Sequence, residues 1–216
     1  LEMVRELTRL VSSVRDCDIA VAPSYTSLWP VGQRLEDSVV DLAAQDLFYE
    51  TSGAFTGTVS GNQLKDVGCK YVLVGHSERR QIFGETLASS QKRMKAAFEA
   101  GLIPILCIGE TQEERDAGQT NKVVAEQLEA AIEGFSLERL MGMVIAYEPV
   151  WAIGTGNVAT PAQAQEVHRM IRERLRAHSV DLAETTRLLY GGSVKPANAN
   201  ELLAQEDIDG ALVGGA

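Results

Sequence analysis

Short runs of apolar residues alternate along the chain with longer segments in which apolar residues recur every three or four positions. The short runs are almost continuously apolar, which is typical of parallel strands that are covered on both faces. They predict seven strands: Ile19–Ala22, Val39–Ala44, Tyr71–Val74, Ile103–Ile108, Met143–Tyr147, Arg187–Tyr190 and Ala211–Val213.

The longer segments have the spacing of amphipathic helices. They predict four helices: Leu1–Val14, Leu87–Ala100, Asn121–Ile132 and Thr160–His178. The second is followed by Gly101, a stop signal. The fourth opens with Thr160 as N-cap, Pro161 at the first helical position and Gln163 to complete a capping box. Strands that alternate with helices, without a low-complexity linker, predict one α/β domain over residues 1–216.

Seven strands at this spacing favour a (β/α)₈ TIM barrel over an open sheet. A closed barrel of eight then requires another strand ahead of Leu1 and a helix after Ala216, because the chain begins in a helical pattern and ends directly after a strand. A barrel of this kind has about 250 residues, so roughly 35 would be missing. We therefore predict a single barrel domain that is incomplete at both ends.

The composition is that of a globular protein with an ordinary core. Apolar residues make up 45% and charged residues 23% of the chain, and no run reaches the length of a membrane helix. Thirty acidic residues against twenty basic ones give a net charge of −10, without a basic block. We therefore expect neither nucleic acid nor a membrane as a partner. A phosphate ligand would have to be held by local groups such as backbone N–H groups, helix N-termini or one lysine.

The chain has three cysteines, Cys17, Cys69 and Cys107, without CxxC spacing, and the last two lie in or beside apolar runs. An odd number of cysteines in this setting predicts buried thiols in a reduced compartment. No secretory signal is visible, and we expect a cytoplasmic protein.

In a parallel barrel, functional residues collect at the carboxyl ends of the strands. His76 follows the third predicted strand, in the segment Gly75–Arg80, whereas His168 and His178 lie within a helical pattern. A lone histidine at a strand end is often only a structural hydrogen-bonding group. Its position nevertheless favours a functional role, because imidazole is suited to bind a substrate oxygen.

Glu148 ends the fifth strand and precedes Pro149, which predicts a carboxylate that points into the pocket and acts as a base. The alternative is a solvated strand-end acid. The segment that follows brackets apolar Val150–Ile153 with Pro149, Gly154 and Gly156. An apolar loop tip of this kind predicts a lid that closes over a ligand, and the alternative is a loop packed permanently on the barrel.

Two glycine pairs follow the last two strands, Gly191-Gly192 with Ser193 and Gly214-Gly215. Glycine pairs expose backbone N–H groups, and the phosphate site of many barrels lies after strands seven and eight. A tight turn is the alternative for either pair alone. Neither a cofactor nor a metal is expected, since the sequence has no metal-ligand spacing.

Several segments resemble the signature segments of the triosephosphate isomerase family, in the same order along the chain: YVLVGHSERR, AYEPVWAIGTG, LLYGGSV and the terminal VGG. IPILCIGE resembles its fifth strand, and SGAFTG at Ser52–Gly57 resembles its dimer-forming loop. The resemblance implies an aldose–ketose isomerase of glycolysis and gluconeogenesis. It implies that dihydroxyacetone phosphate and D-glyceraldehyde 3-phosphate interconvert through an enediolate, in a cytoplasmic homodimer joined through Ser52–Gly57.

The resemblance also implies roles for particular residues. Glu148 is the proton acceptor, His76 the electrophile that polarises the carbonyl, and Glu78 a supporting acid. Four residues are expected to bind the substrate phosphate through N–H groups: Gly154, Ser193, Gly214 and Gly215.

The sequence departs from the family at three points. Nothing matches the Asn-x-Lys motif that ends the family's first strand, Thr58 replaces a glutamate after SGAFTG, and Asn157 replaces a commonly basic residue after the lid. The missing lysine leaves a second interpretation open, a catalytically inactive fragment or remnant of the same family. A third interpretation is a different phosphate-binding barrel enzyme, against which the intact GHSERR and EPVWAIGTG segments argue.

Overall fold

Strands and helices alternate throughout residues 1–155 and 157–214, which this computed structural model describes. The strands are β1 (Ile19–Val21), β2 (Val40–Ala44), β3 (Cys69–Val74), β4 (Ile103–Ile108), β5 (Val144–Tyr147), β6 (Arg187–Tyr190) and β7 (Gly210–Ala211). All seven predicted strands are therefore present, with shifts of one to two residues at several ends.

The four predicted helices are α1 (Glu2–Leu10), α5 (Leu87–Glu99), α7 (Thr120–Ile132) and α9 (Pro161–His178). Seven further helices were not predicted: α2 (Tyr25–Leu35), α3 (Gly61–Asp66), α4 (Ser77–Gln81), α6 (Gln112–Asp116), α8 (Leu137–Leu140), α10 (Val180–Thr185) and α11 (Ala199–Leu203).

The first helix is shorter than predicted. It ends at Leu10, and the guanidinium of Arg15 donates to the carbonyls of Ser12 and Val14 at 2.8 and 2.7 Å, which holds a turn where Leu1–Val14 was expected to be helical. The capping box at Thr160 is confirmed, because Thr160 Oγ1 accepts from Gln163 N at 3.2 Å and Gln163 Oε1 accepts from Thr160 N at 2.9 Å.

The chain divides into two compact units, residues 1–74 with 92–104 and residues 75–91 with 105–216. In the first unit, β1, β2 and β3 form a parallel sheet in which Ile19 pairs with Val40 and Leu42 with Cys69. In the second unit, β5 pairs in parallel with β4 and with β6, and β6 pairs in parallel with β7. The organisation as one domain stays a prediction.

The core of the second unit lies between the strands and the inner face of α9. This helix buries Ala164, Val167, His168, Ile171 and Leu175. These positions follow the helical repeat, and full burial of a branched side chain stabilises the fold by about 1.5–3 kcal/mol. His168 is completely buried beside the ring of Tyr147, and burial lowers its pKa although the carbonyl of Ala164, 2.8 Å from Nδ1, opposes this.

A partly buried arginine connects α9 to the residues that lead into the strand β7. The guanidinium of Arg172 makes 2.7 Å contacts with Asp207 Oδ1 and Asp209 Oδ2, and it also donates to the carbonyls of Ala183 and Thr186. Asp209 Oδ2 in turn accepts from the backbone N of Leu188 in β6 at 2.7 Å. This network fixes β7 to β6, and the residues that follow these two strands carry the predicted phosphate site.

Cys69 and Cys107 are buried as predicted, whereas Cys17 is exposed, and all three thiols are free. Burial raises the pKa of the Cys69 thiol to about 11. Among the described helices, none has the length and apolar character needed to cross a membrane.

Candidate active site

His76 and Glu148 lie in direct contact in the second unit. His76 is the N-cap of α4, and its Nδ1 accepts the backbone N–H of Glu78 at 3.3 Å. Because Nδ1 acts as an acceptor, the ring proton belongs on Nε2, which lies 2.9 Å from Glu148 Oε1. The two side chains that sequence reasoning singled out are therefore joined by a hydrogen bond.

Glu148 is held at the end of β5 with its carboxylate buried. Its backbone N donates to the carbonyl of Ile108 at 2.7 Å, and its side chain is only 1% exposed. Oε2 accepts the backbone N–H of Ser77 at 2.9 Å, while Oε1 contacts His76. The alternative of a solvated strand-end acid is wrong, since two protein donors replace water at this carboxylate.

The electrostatics of His76 depend on where this carboxylate lies. The hydrogen bond that Nε2–H of His76 donates to the Glu148 carboxylate raises the pKa of His76, while burial of the ring lowers it. The N–H of Glu78 also opposes protonation, because a protonated Nδ1 could not accept it. Glu148 is therefore the principal group that raises the pKa of His76 and favours the imidazolium.

Glu78 is placed differently from the other two predicted catalytic residues. Its side chain is 71% exposed, and Oε2 lies 3.8 Å from His76 Nδ1, beyond hydrogen-bond distance. The contact that Glu78 makes with His76 comes from its backbone N–H.

Two glycines allow the backbone and side chain of Glu148 to take their places. A Cβ on Gly109 would lie 1.8 Å from the carbonyl oxygen of Glu148, and a Cβ on Gly191 would lie 3.0 Å from Glu148 Cγ. Gly191 N also donates to the carbonyl of Tyr147 at 2.7 Å. Sequence reasoning missed Gly109, although a glycine directly after the apolar run of β4 was a visible signal.

The predicted lid begins in a short 3₁₀ turn, Val150–Ala152. The indole N–H of Trp151 donates to Glu110 Oε1 at 3.0 Å, and Ala152 is buried. Beyond this anchored start, Gly154 has φ +68° and is exposed, as is Thr155, while Gly156 lies outside the described residues.

Glu110 is the acceptor that anchors the lid, and sequence reasoning missed it. Its carboxylate is completely buried and accepts from Tyr147 Oη at 3.1 Å and from Arg115 Nη1 at 3.0 Å, besides Trp151. The guanidinium of Arg115 also lies 4.4 Å from the Trp151 ring. Thr120 Oγ1 is a fourth donor, at 3.4 Å from Oε1. A charged acceptor shared by these donors fixes the first residues of the predicted lid to α6 and β5.

Two of the predicted phosphate-binding residues follow neighbouring strands at the same distance. Tyr190 pairs with Ala211, so Ser193 and Gly214 each come three residues after paired positions. Ser193 is partly buried and its carbonyl accepts from Asn198 Nδ2 at 3.0 Å, whereas Gly214 is exposed. The fourth residue, Gly215, lies outside the described residues, and these phosphate contacts stay predictions.

Comparison with known proteins decides the family. The profile of the family described as triosephosphate isomerase matches residues 1–216. The chain is 53% identical to the triosephosphate isomerase of Pelobacter propionicus over 217 residues, which cover 100% of this chain and 86% of that protein. It is 52% identical to that of Carboxydothermus hydrogenoformans over 214 residues, 99% of this chain and 85% of the relative.

The chain belongs to the triosephosphate isomerase family. The predicted family, the (β/α)₈ barrel class and the isomerase function are thereby confirmed. A third relative, the triosephosphate isomerase of Herpetosiphon aurantiacus, is 50% identical over 99% of this chain and 86% of its own length.

The loop that resembles the dimer-forming loop of this family projects an aromatic ring. Phe55 is 41% exposed, and its ring centroid lies 4.7 Å from that of Phe48. Gly53 has φ +139°, and a Cβ there would lie 2.5 Å from the Phe55 ring. Thr58, which stands where the family commonly has glutamate, donates through Oγ1 to the carbonyl of Phe55 at 2.8 Å and so closes the turn.

Proposed function

We propose that this chain interconverts dihydroxyacetone phosphate and D-glyceraldehyde 3-phosphate, with Glu148 as the base. The observation that carries the proposal is the buried Glu148 carboxylate in contact with Nε2 of His76. A carboxylate can take a proton from C1 of the ketone and its conjugate acid can return a proton to C2; the hydroxyl proton moves from O1 to O2 in the same conversion, which completes the aldehyde. The reaction moves protons between neighbouring carbons and involves no net oxidation or reduction.

His76 is the hydrogen-bond donor for the oxygen on which negative charge develops. When Glu148 turns towards the substrate carbon, Nε2–H of His76 is released from Oε1 and can donate to the carbonyl oxygen and then to the enediolate. Loss of the carboxylate contact also removes the main cause that raises the pKa of His76. The family is itself the standard example of a neutral histidine at a helix N-terminus acting as electrophile, and the contact from Glu78 N agrees with that role.

Ser77 has a second role in this scheme. Its backbone N–H holds Glu148 Oε2 at 2.9 Å before the substrate binds. Because one carboxylate oxygen contacts Ser77 and the other contacts His76, a rotation of the Glu148 side chain breaks both contacts and frees both donors. The substrate must compensate for these two hydrogen bonds through its own contacts with the site.

The substrate phosphate is bound by backbone N–H groups at Gly154, Ser193, Gly214 and Gly215. This mode of binding suits a protein of net charge −10, since the positive potential has to be local. Closure of the lid over the phosphate excludes water and retains the enediolate, which otherwise eliminates phosphate; the family is also the standard example of such a lid. Trp151, anchored on Glu110, marks the point from which the lid moves.

The protein acts as a cytoplasmic homodimer joined through Ser52–Gly57. An exposed phenylalanine at the tip of a loop that is ordered by a Phe48 contact supports a docking role. Sedimentation of the purified protein at micromolar concentration should give the mass of a dimer. A monomer with full activity would contradict this part of the proposal.

The test of the function measures the isomerisation rate of the parent protein and of the variants Glu148→Asp and Glu148→Gln. Deuterium uptake at C1 of dihydroxyacetone phosphate is measured in D₂O for the same three proteins. Glu148→Asp withdraws the carboxylate by one methylene, and a displacement of about 1 Å costs about 10²-fold in kcat. KM and the melting temperature should change little. A melting temperature that falls in step with activity would make Glu148 structural.

A further inference from the structure

The backbone of Gly109, the first residue after β4, is held by hydrogen bonds with two side chains, those of Gln127 and Arg80. Gly109 N donates to Gln127 Oε1 at 2.7 Å, and Gln127 Nε2 donates to the carbonyl of Gly109 at 3.1 Å. The amide of Gln127 thus takes up both backbone groups of Gly109, as a neighbouring strand would. Gln127 is oriented by α7, where Val124 and Leu128 are buried on either side of it in sequence.

The second side chain that holds Gly109 is that of Arg80 in α4. Arg80 Nη2 donates to the carbonyl of Gly109 at 3.2 Å, and Nη1 donates to the carbonyls of Cys107, at 2.9 Å, and Gly75. The same helix presents the N-cap His76 and the backbone N–H of Ser77. The carbonyl of Gly109 therefore has two donors, one from each of the helices α4 and α7.

Gly109 lies directly against the backbone of Glu148, the proposed base. A Cβ on Gly109 would lie 1.8 Å from the carbonyl oxygen and 2.6 Å from the carbonyl carbon of Glu148. Residues 108–110 also run beside residues 148–150, since Glu148 N donates to Ile108 O at 2.7 Å and Val150 N donates to Glu110 O at 3.1 Å. A shift of Gly109 must therefore shift Glu148, because packed backbones leave no room for independent movement.

We propose that Gln127 is a positioning residue for the proton transfer: with Arg80 it holds Gly109 and so sets the place of the Glu148 carboxylate relative to His76. The proposal rests on the proposed function, because it assigns the base to Glu148. It adds a residue on α7 that does not touch the substrate.

The test is Gln127→Met, which keeps the length of the side chain and removes both hydrogen bonds. The matched control is Gln91→Met, because Gln91 also donates from α5 to a distant backbone carbonyl, that of Glu133, at 2.8 Å. We expect kcat to fall about tenfold or more in Gln127→Met, because a displacement of about 1 Å costs about 10²-fold. KM should change less than about threefold, since phosphate contacts are unaffected. Gln91→Met should keep the parental kcat.

A purely structural role is distinguished by a double-mutant cycle. If Gln127 acts through the placement of Glu148, Gln127→Met should cost much less in the Glu148→Asp background, where the carboxylate is already displaced. Multiplicative losses of kcat in the cycle, or a parental kcat in Gln127→Met, would overturn the proposal.

The ¹⁵N resonance of Nε2 in His76 gives a readout that does not require activity. It should move in Gln127→Met, where the contact with Glu148 changes, and stay unchanged in Gln91→Met. An unmoved resonance in Gln127→Met overturns the positioning role. Absence of turnover in the folded parent protein instead refutes the proposed function, and the resonance then decides the placement of Glu148 by itself.

Discussion

Replacement of Arg172 by methionine tests whether the network between α9 and β7 stabilises the protein. The side chain of Arg172 is 12% exposed and makes 2.7 Å contacts with Asp207 and Asp209. Methionine keeps much of the packing but leaves the buried Asp207 without its cation. Removal of one partner of a buried ion pair typically costs about 3–5 kcal/mol.

Two features place the expected loss near the lower end of that range. Gln165 Nε2 still donates to Asp207 Oδ2 at 2.7 Å, and Asp209 is more accessible to water than Asp207. A loss of about 3 kcal/mol in the free energy of unfolding is a large part of the usual 5–15 kcal/mol. In a domain of this size it corresponds to a fall of roughly 6–12 °C in melting temperature.

The assay is urea unfolding and thermal melting of Arg172→Met beside Arg169→Met, a control on the same helix. Arg169 is 66% exposed and lies 3.9 Å from Glu173, so its replacement should cost no more than about 0.5 kcal/mol. If the two variants differ by less than about 1 kcal/mol, the network contributes little and the reasoning is refuted. KM for the triose phosphate should also rise in Arg172→Met, because β7 leads into the proposed phosphate site.

Three further predictions follow from other parts of the chain. Glu110→Gln should lower the free energy of unfolding by about 1.5–3 kcal/mol, because an amide cannot replace the charged acceptor of Arg115; an unchanged urea midpoint would contradict it. The pKa of His168 is lowered in the folded protein, so the unfolded chain takes up the proton first and stability falls as the pH decreases below about 6.5. His168→Phe should flatten that fall in melting temperature between pH 7.5 and 5, and an equally steep fall in the variant would refute the assignment. Gly53→Ala should raise the dissociation constant of the dimer about tenfold by disturbing the loop around Phe55, and sedimentation at several concentrations would detect a failure of this prediction.

The regular elements could be predicted wherever burial and periodicity coincide. The strands β2 to β5 are apolar and almost fully buried, whereas β1 and β7 are only partly buried. The cap at Thr160 was predictable because its side chain is itself the capping group. The helices that escaped prediction are mostly four to six residues long, too short to show a helical repeat. Two of them begin with capping boxes at Ser60 and Thr111 that the sequence already displayed. The remaining long one, α2, contains Pro30, a residue that argues against a helix.

The candidate site was predictable in its residue types but not in its contacts. Glu148 and His76 were identified because they end apolar runs, which a sequence displays directly. The hydrogen bond between them, and the one from Ser77 N, bring together segments 71 residues apart along the chain. Glu110 follows β4 by two residues, as His76 follows β3, so its position was a signal as well. Only the fold gives Glu110 and Gln127 their partners.

The strand-end glycines have a consequence for how a map of mutational tolerance would be interpreted. A methyl group would lie 1.8 Å from the carbonyl oxygen of Glu148 at Gly109 and 2.3 Å from Tyr190 Oη at Gly192, and at Gly191 it would crowd Glu148 Cγ at 3.0 Å. A saturation scan scored by growth should therefore show its deepest intolerance partly at positions that possess no functional group. Such a profile resembles that of catalytic residues. Added ligand or a lower temperature would not rescue these variants, because the added side chain would still fill the space that the neighbouring residue needs. In this fold, the empty volume beside the proposed base is as specific a requirement as its carboxylate.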